Sequence, residues 1–458
     1  MMGCCLGNRR FVWVAVCVAA ALGFAFSRAG SCAEIVVKFE AAKANHPIDF
    51  PRAIVQIPKE FEKTKFVFFD CDVGIDEEER MGFGQLVAPS LAANLPAGRE
   101  GMVARELVVL NSVQDEGGPA LKMRGTLGST KLLEKVTNGD PEGFLQQLES
   151  DASWHDTPGK STELRFEDRP VLRYMYEAVD NSSKERRGET FKVYHHVFDP
   201  EGDRLLTKGP GGLFPHHRGL FYGFNKISYG DKQQADVWHC NKGEWQGHVK
   251  VLSQEAGPLL ARHCLAIDWH GQDGKVFAKE EREITVHNWA LEYESPRGRE
   301  KLSRSTLIDF VSKLTSTVGP LKLDGDPQHA GFQFRASQEV PDKTAKETYY
   351  LRRDGKGEPG KFRNWPQDKG HENLPWNALS FVIDGQRYTV VYLDHPKNPK
   401  PARYSERDYG RFGSYFVAEL DEGKPLTVQY RVWVQRGEMT VEQCEALSKA
   451  FVEPVKAA

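Results

Sequence analysis

Cysteine is scarce where it could build a framework. Of the eight cysteines, Cys4, Cys5, Cys17 and Cys32 fall before residue 34, leaving Cys71, Cys240, Cys264 and Cys444 in the rest of the chain. Four scattered thiols are no disulfide scaffold. No Cys-x-x-Cys occurs among them, which argues against a thiolate zinc knot. Cys240 and Cys264 lie in one strand-rich region, where a bridge and two buried thiols are both open readings. An excess of one charge is also missing: 61 Lys and Arg face 64 Asp and Glu, a net charge of −3. That balance leaves no electrostatic footprint for nucleic acid. Long apolar runs are absent, the longest being the 16 residues Phe11 to Phe26, too short for a comfortable membrane span. No Walker loop, Gly-x-Ser-x-Gly, His-Glu-x-x-His or EF-hand loop is present. With 458 residues, 40% of them hydrophobic and 27% charged, the composition is that of a globular chain of two or three domains.

The one apolar run has a processing context. Arg9 and Arg10 precede it, and the small residues Ser31-Cys32-Ala33 follow. That order predicts a secretory signal peptide over residues 1–33, with cleavage before Glu34 and a periplasmic or extracellular product. Lipid anchoring through Cys32 is a variant of this reading. Loss of the three arginines Arg9, Arg10 and Arg28 takes the net charge from −3 to −6.

Residues 34–150 predict a small β-sandwich-like domain. Ile35-Val36-Val37, Phe66-Val67-Phe68-Phe69 and Glu106 to Leu110 are short β-branched or aromatic runs. Asp140-Pro141 predicts a helix start, with Asp at the N-cap and Pro at the first helical position. The polar stretch 151–163 reads as a linker that few contacts need cross, so a chain starting near Ser161 is expected to fold and keep the site. Residues 164–438 run strand after strand without a helix-period segment and predict a large antiparallel β-sandwich. Asp384-Gly385 marks a tight hairpin. At the C-terminus, residues 439–458, Thr440 and Gln443 form a capping box for a short helix with Val441, Cys444, Leu447 and Phe451 on one face.

Histidine is unevenly spread: eight of fourteen lie between His195 and His270. The groups sit beside Gly or Pro near strand ends, where a sandwich presents loops. His216 and His217 are candidate acid/base groups, and Arg218 a stabiliser of developing charge. On an extended segment the two imidazoles would point to opposite faces. Asp326 and His329 suit a base with its orienting carboxylate, and Asp236, Trp238 and His239 a sugar platform beside a carboxylate. His395, Tyr404, Arg407, Tyr409 and Arg411 form a polar-aromatic group able to clamp a polar ligand. A divalent metal is a further use for these residue types, with its ligands unassigned.

Several of these groups occur in an order that resembles a bacterial family catalogued as PmoA-like, whose function is otherwise unassigned. The residues are Tyr194-His195-His196-Val197-Phe198-Asp199-Pro200, Gly209 to Phe221, Ala235-Asp236-Val237-Trp238-His239, Asp324 to Arg335, Tyr392-Leu393-Asp394-His395-Pro396 and Arg407 to Gly413. The likeness covers roughly 165–440. Its label borrows the name of a methane monooxygenase subunit, an integral membrane protein; without a spanning segment, this chain gives methane oxidation no support. The layout is also similar to the galactose-mutarotase type of supersandwich, an analogy of fold and not of function.

Together these features point to an exported carbohydrate-active protein, an epimerase, lyase or glycoside-cleaving enzyme using His and carboxylate chemistry. The alternatives are a non-catalytic glycan-binding protein, which needs the aromatics and not the imidazoles, and a metal-dependent oxygenase. The expected partner is a carbohydrate or other small polar ligand, with no nucleic acid. If export is correct, mass spectrometry of the protein from its native host will give an N-terminus near Glu34; retention of residues 1–33 would contradict it.

Overall fold

The computed structural model describes residues 33–39, 52–72, 80–110, 121–127, 151–230, 232–288 and 305–453, with helical backbone also at 143, 145 and 146. The segment before Ala33, where the signal peptide is expected, lies outside these residues, as does most of the helix expected after Asp140.

Alternation along the strands sets the layers. Strands Leu220–Phe224 and Ala330–Arg335 send Leu220, Tyr222, Phe224, Phe332 and Phe334 to one side, into a shared apolar core. Both lie in an eight-stranded antiparallel sheet that runs from Arg403–Arg407 at one edge to Ala152–Thr157 at the other. A nine-stranded antiparallel sheet faces it, with Ser305–Ser316 and Leu426–Arg436 near its centre. Phe310 of that sheet stacks on Phe332 with ring centroids 4.3 Å apart. Ile308, Val390, Tyr430 and Val432 fill the same layer. At roughly 25 cal/mol per Å² of apolar surface removed from water, each such ring contributes several kcal/mol. The large antiparallel β-sandwich expected from the sequence is thus the architecture of the C-terminal block.

A four-stranded sheet closes one end, in the order Gln233–Ala235, Lys226–Tyr229, Leu321–Asp324, Ala418–Leu420. The first and third strands both pair antiparallel with the second, so they run in the same direction and leave the sheet at the same end. Asp236 and Asp326 follow immediately after those exits.

The N-terminal strands differ from the expected small sandwich. Those described form one six-stranded antiparallel sheet, and its inner face buries Ile57, Val67, Phe69, Leu86, Leu107, Val109 and Leu127. The linker reading is corrected as well. Ala152–Thr157 and Ser161–Phe166 pair as a hairpin at the edge of the eight-stranded sheet. Their polar residues are the solvent side of an edge strand, which composition alone does not separate from a loop. A chain cut at Ser161 would lose that edge.

The two blocks are joined by buried contacts. Val87 and Val108 pack on Leu259 and Leu260. The Gln85 side chain accepts from the backbone N–H of both leucines and donates to the Leu260 carbonyl. Glu106 meets Arg262 at 2.8 Å, and Ser90 donates its hydroxyl to Glu283.

Local signals mostly hold. Asp384 and Gly385 both have positive φ, 48° and 71°, at the turn closed by Ile383 and Gln386. The Thr440–Gln443 capping box is present on helix Val441–Val452. The helix Lys184–Thr190 was not anticipated; it is short, charged and capped by Ser183, and only Thr190 is buried, so it has no apolar period to read. Cys240, Cys264 and Cys444 are free and buried, which decides against the Cys240–Cys264 bridge. No helix among the described residues is long and apolar enough to cross a membrane.

Glu106→Ala should be costly, because it strips Arg262 of its closest carboxylate at a site without solvent to replace it. The expected loss is about 3 kcal/mol of unfolding free energy, read from urea unfolding of the full chain. A loss below about 0.5 kcal/mol would show that the seam contributes little.

Candidate functional site: an imidazole group at the mouth of a cleft

The outer face of the eight-stranded sheet is polar. On it the Gln333 and Arg411 side chains bond to each other at 2.8 Å, and Arg411 also donates to Ser405. Loops gather over this floor.

His239 and His329 arrive on the two parallel exits of the four-stranded sheet, each three residues after an aspartate. Asp236 Oδ1 accepts the backbone N–H of Trp238 and His239, and its Oδ2 holds His239 Nδ1 at 2.8 Å. Asp326 Oδ1 accepts the Gln328 N–H, and the carboxylate holds His329 Nδ1 at 2.9 and 3.1 Å. Asn225 donates to the other side of Asp326 at 2.6 Å. These are Asx turns closed by an imidazole. A carboxylate acceptor fixes the proton on Nδ1 and leaves the Nε2 lone pair free.

His216 and His217 arrive on a third loop. Adjacent residues on a strand would diverge, but Phe214 has φ +54° and its carbonyl accepts the His217 N–H, so the pair sits on a turn. The two rings lie 4.4 Å apart and on the same side, which corrects the expectation that only one of them could face a site. Gly219 lets the chain drop from this turn into its strand: its φ is +41°, and a Cβ there would stand 2.0 Å from the His195 carbonyl.

The four imidazoles meet. Ring centroids are 4.6 Å apart for His216–His239 and for His239–His329, 5.3 Å for His216–His329 and 5.2 Å for His217–His329. One nitrogen from each of His216, His217 and His329 lies within 4.8 Å of the others. His216 Nε2 and His217 Nδ1 are buried without a hydrogen-bond partner. Burial, then the neighbouring Lys192, draws His216 down to about 2. Burial, then Arg411, holds His217 well below the ordinary imidazole range. Both are neutral bases at physiological pH. Burial raises the Asp326 carboxyl, but its bonds to His329 outweigh that and keep it ionised.

Two buried basic side chains brace the loops. Lys192 donates to the carbonyls of His216 and Trp238, tying the two imidazole loops together. Arg218 donates to the carbonyls of Pro215, Glu189 and Gly188 and lies over the Phe191 ring. Its guanidinium is therefore spent on the backbone and is not aimed at the cleft.

Beside the imidazoles opens a cleft of about 730 Å³, with Asp326 and His329 on one side and Phe362, Asn364, Trp365 and Arg407 on the other. Another cleft, of about 490 Å³ along Ser228–Gly230 and Pro320–Lys322, carries no imidazole.

Of the residues singled out from sequence, Asp236, His239, His216, His217, Asp326 and His329 come together. Tyr409 adjoins them, with ring centroids 6.4 Å from His217 and 5.1 Å from Phe214. Arg407 lines the cleft, whereas Arg411 is fully buried behind the lining, its guanidinium on Gln333 and Ser405 and not open to a ligand. Trp238 is buried beneath the group, edge-on to His217 and Phe221, and offers no open platform. Tyr404 is buried in the core with its hydroxyl on the Leu374 carbonyl. His395 packs on Phe451 of the C-terminal helix and not on the group. The wall 362–368 was missed. Its only sequence signal is Phe362-Arg363-Asn364-Trp365, aromatic and polar residues on a loop far along the chain from the histidines.

That wall is held by Glu406, which accepts the Arg363 N–H and pairs with Arg352 and Asn377 while fully buried. Burial raises its pKa, but His371 and Arg352 outweigh it and bring Glu406 from 4.5 to about 2. A lowered carboxylate stabilises the fold above its unfolded value, and that contribution drains away as pH falls from the unfolded value through the folded one. About 3 kcal/mol is therefore expected to disappear between about pH 4.5 and pH 2. Glu406→Gln should lose most of this at pH 7 and lie much closer to the unaltered protein at pH 2.5, by urea midpoint. An equal deficit at both pH values would sink the assignment.

A family model described as "Family of unknown function (DUF6807)" matches residues 161–449. No curated protein matches the chain. Among solved structures it is similar to a heparinase III gene product, at 8% identity over 69% of this chain and 43% of that one, with a TM-score of 0.28. It is also similar to a galactose mutarotase related enzyme from Lactobacillus acidophilus, at 10% identity over 57% of this chain and 96% of that one, with a TM-score of 0.24. The chain thus spans less than half the length of the first, and likenesses this weak carry no argument about activity.

Proposed function

The chain belongs to the DUF6807 family of unknown function, and we propose that its cleft binds and transforms a hydroxyl-rich, carbohydrate-like ligand. The observation that supports this most is the meeting of four imidazoles, two of them backed by aspartates, at the edge of a cleft with aromatic and polar walls. His329 with Asp326 is the proposed proton acceptor: the carboxylate orients the ring, and Nε2 is free to take a proton from a hydroxyl or from carbon beside a carbonyl. His239 with Asp236 is the second such pair. Phe362, which is 43% exposed, and Trp365 are the proposed sugar platform, in place of Trp238. Arg407 lies over the Phe362 ring at 5.1 Å and is placed to hold a hydroxyl or carboxylate of the ligand.

Export belongs to the same reading and rests on the segment before Glu34 alone. The resemblance to the PmoA-like family adds no substrate to it.

The test is a screen of mono- and oligosaccharides, their uronates and their keto derivatives, by calorimetry and by NMR of the products. A ligand should bind, and Phe362→Ala should weaken it by about tenfold. His329→Ala should abolish turnover, at least a 100-fold loss, while leaving binding within a few-fold. If no saccharide binds, or if His329→Ala turns over normally, the reading is wrong.

A further inference from the structure

We infer that His216, His217, His239 and His329 form a binding site for one divalent transition-metal ion, with Asp236 and Asp326 as its outer carboxylates. The inference rests on the reading above only in placing chemistry at the same residues and does not need the ligand to be a sugar; with the ion bound, His329 Nε2 is its ligand and no longer the proton acceptor, so the two roles exclude each other and the metal titration separates them.

Four observations converge on it. First, three of the imidazoles already offer nitrogens within 4.8 Å of one another, and the fourth ring, His239, stands 4.6 Å from two of them. Metal–nitrogen bonds of ~2.0–2.1 Å imply nitrogens ~3.4 Å apart in a tetrahedral shell, so the nitrogens need to close by at most about 1.4 Å. Second, His239 and His329 each give Nδ1 to an aspartate, which turns Nε2 outward as a donor. That carboxylate–imidazole pairing is how metal-binding histidines are oriented and made more basic. It occurs twice, on separate loops that end at one point. Third, His217 is 2% exposed and its Nδ1 has no partner, nor has His216 Nε2. Buried polar atoms are normally bonded, so two orphaned ring nitrogens in one imidazole group call for something to bind. Fourth, Asp236 and Asp326 bring two carboxylates behind the imidazoles, which offset the charge of a divalent cation in surroundings that otherwise hold the basic side chains Lys192, Arg218 and Arg411.

The donor set also names the class of ion. An all-imidazole group suits zinc, copper, iron, cobalt or nickel and not magnesium or calcium, which take oxygen ligands. The cleft beside His329 leaves one side for a ligand oxygen.

The experiment uses the full chain, stripped with a chelator and titrated with zinc, copper, cobalt, nickel and, without oxygen, ferrous iron. One ion should bind per chain, and the cobalt form should show the visible absorption of a nitrogen-ligated site. His217→Ala and His329→Ala should each weaken the ion at least 100-fold. Asp326→Asn keeps shape and hydrogen bonding but not charge, and should weaken it 10–100-fold and shift the cobalt spectrum while thermal unfolding without metal stays cooperative. His270→Ala, at an imidazole stacked on Trp245 away from the group, should change nothing. The inference is overturned if none of the five ions binds stoichiometrically, or if binding survives in the His216→Ala/His217→Ala double variant. A chain that binds and turns over a saccharide but takes up none of the five ions would overturn this site and leave the proposed function standing. A chain that binds metal but no saccharide would do the reverse.

Discussion

A strand can give only every second side chain to the core, and the eight-stranded sheet gives its aromatic half. Leu220, Tyr222, Phe224, Phe332 and Phe334 go inward, so Phe221, Gln333, Arg335 and Arg411 have to go outward. That outer face is not left to water. It is roofed by loops, and polar groups trapped between a sheet and its roof must find partners or be costly. Most do: Arg411 on Gln333 and Ser405, Lys192 on two loop carbonyls, Arg218 on three. Among the imidazoles that meet, His216 Nε2 and His217 Nδ1 are left without a partner, and they lie side by side.

The electrostatics follow from this layering. Arg411 in the floor and Arg218 among the braces are cationic, burial draws the Lys192 amine down to about 7, and His216 and His217 are held neutral by burial with Lys192 or Arg411 beside them. Asp326 stays ionised because its bonds to His329, Gln328 and Asn225 outweigh the effect of burial. The result is a group of free nitrogen lone pairs held open at neutral pH, with the donors fixed from behind. Positions fixed in this way need little reorganisation when a ligand arrives.

Much of this is legible residue by residue. Asp384-Gly385, the Thr440–Gln443 box and the β-branched runs declare local structure because their physics is local. The histidine groups declare themselves by being polar, clustered and flanked by Gly or Pro. His395 and Tyr404 carry the same appearance and lie elsewhere, because composition near a strand end does not say which end of which layer that strand occupies. Trp238 looked like a platform and is packed beneath the site, since strand alternation predicts a face but not what covers it. The hairpin over 151–166 read as a linker because an edge strand exposes polar residues on one side, as a loop does.

The amino-acid order by itself determined the mostly β class, the tight turn at Asp384-Gly385 and the Thr440–Gln443 capping box, because each depends on neighbours within a few residues. Only the tertiary structure decided that the turn at Asp236 and the turn at Asp326 share an exit. That depends on Gln233–Ala235 and Leu321–Asp324 both pairing with Lys226–Tyr229, a contact across about a hundred residues of chain. It also decided that His216 and His217 face one way, through a left-handed Phe214, and that a wall from 362–368 closes the cleft, through a buried Glu406. Pairings between distant segments are chosen by the free energy of the whole core and leave no mark in the local sequence.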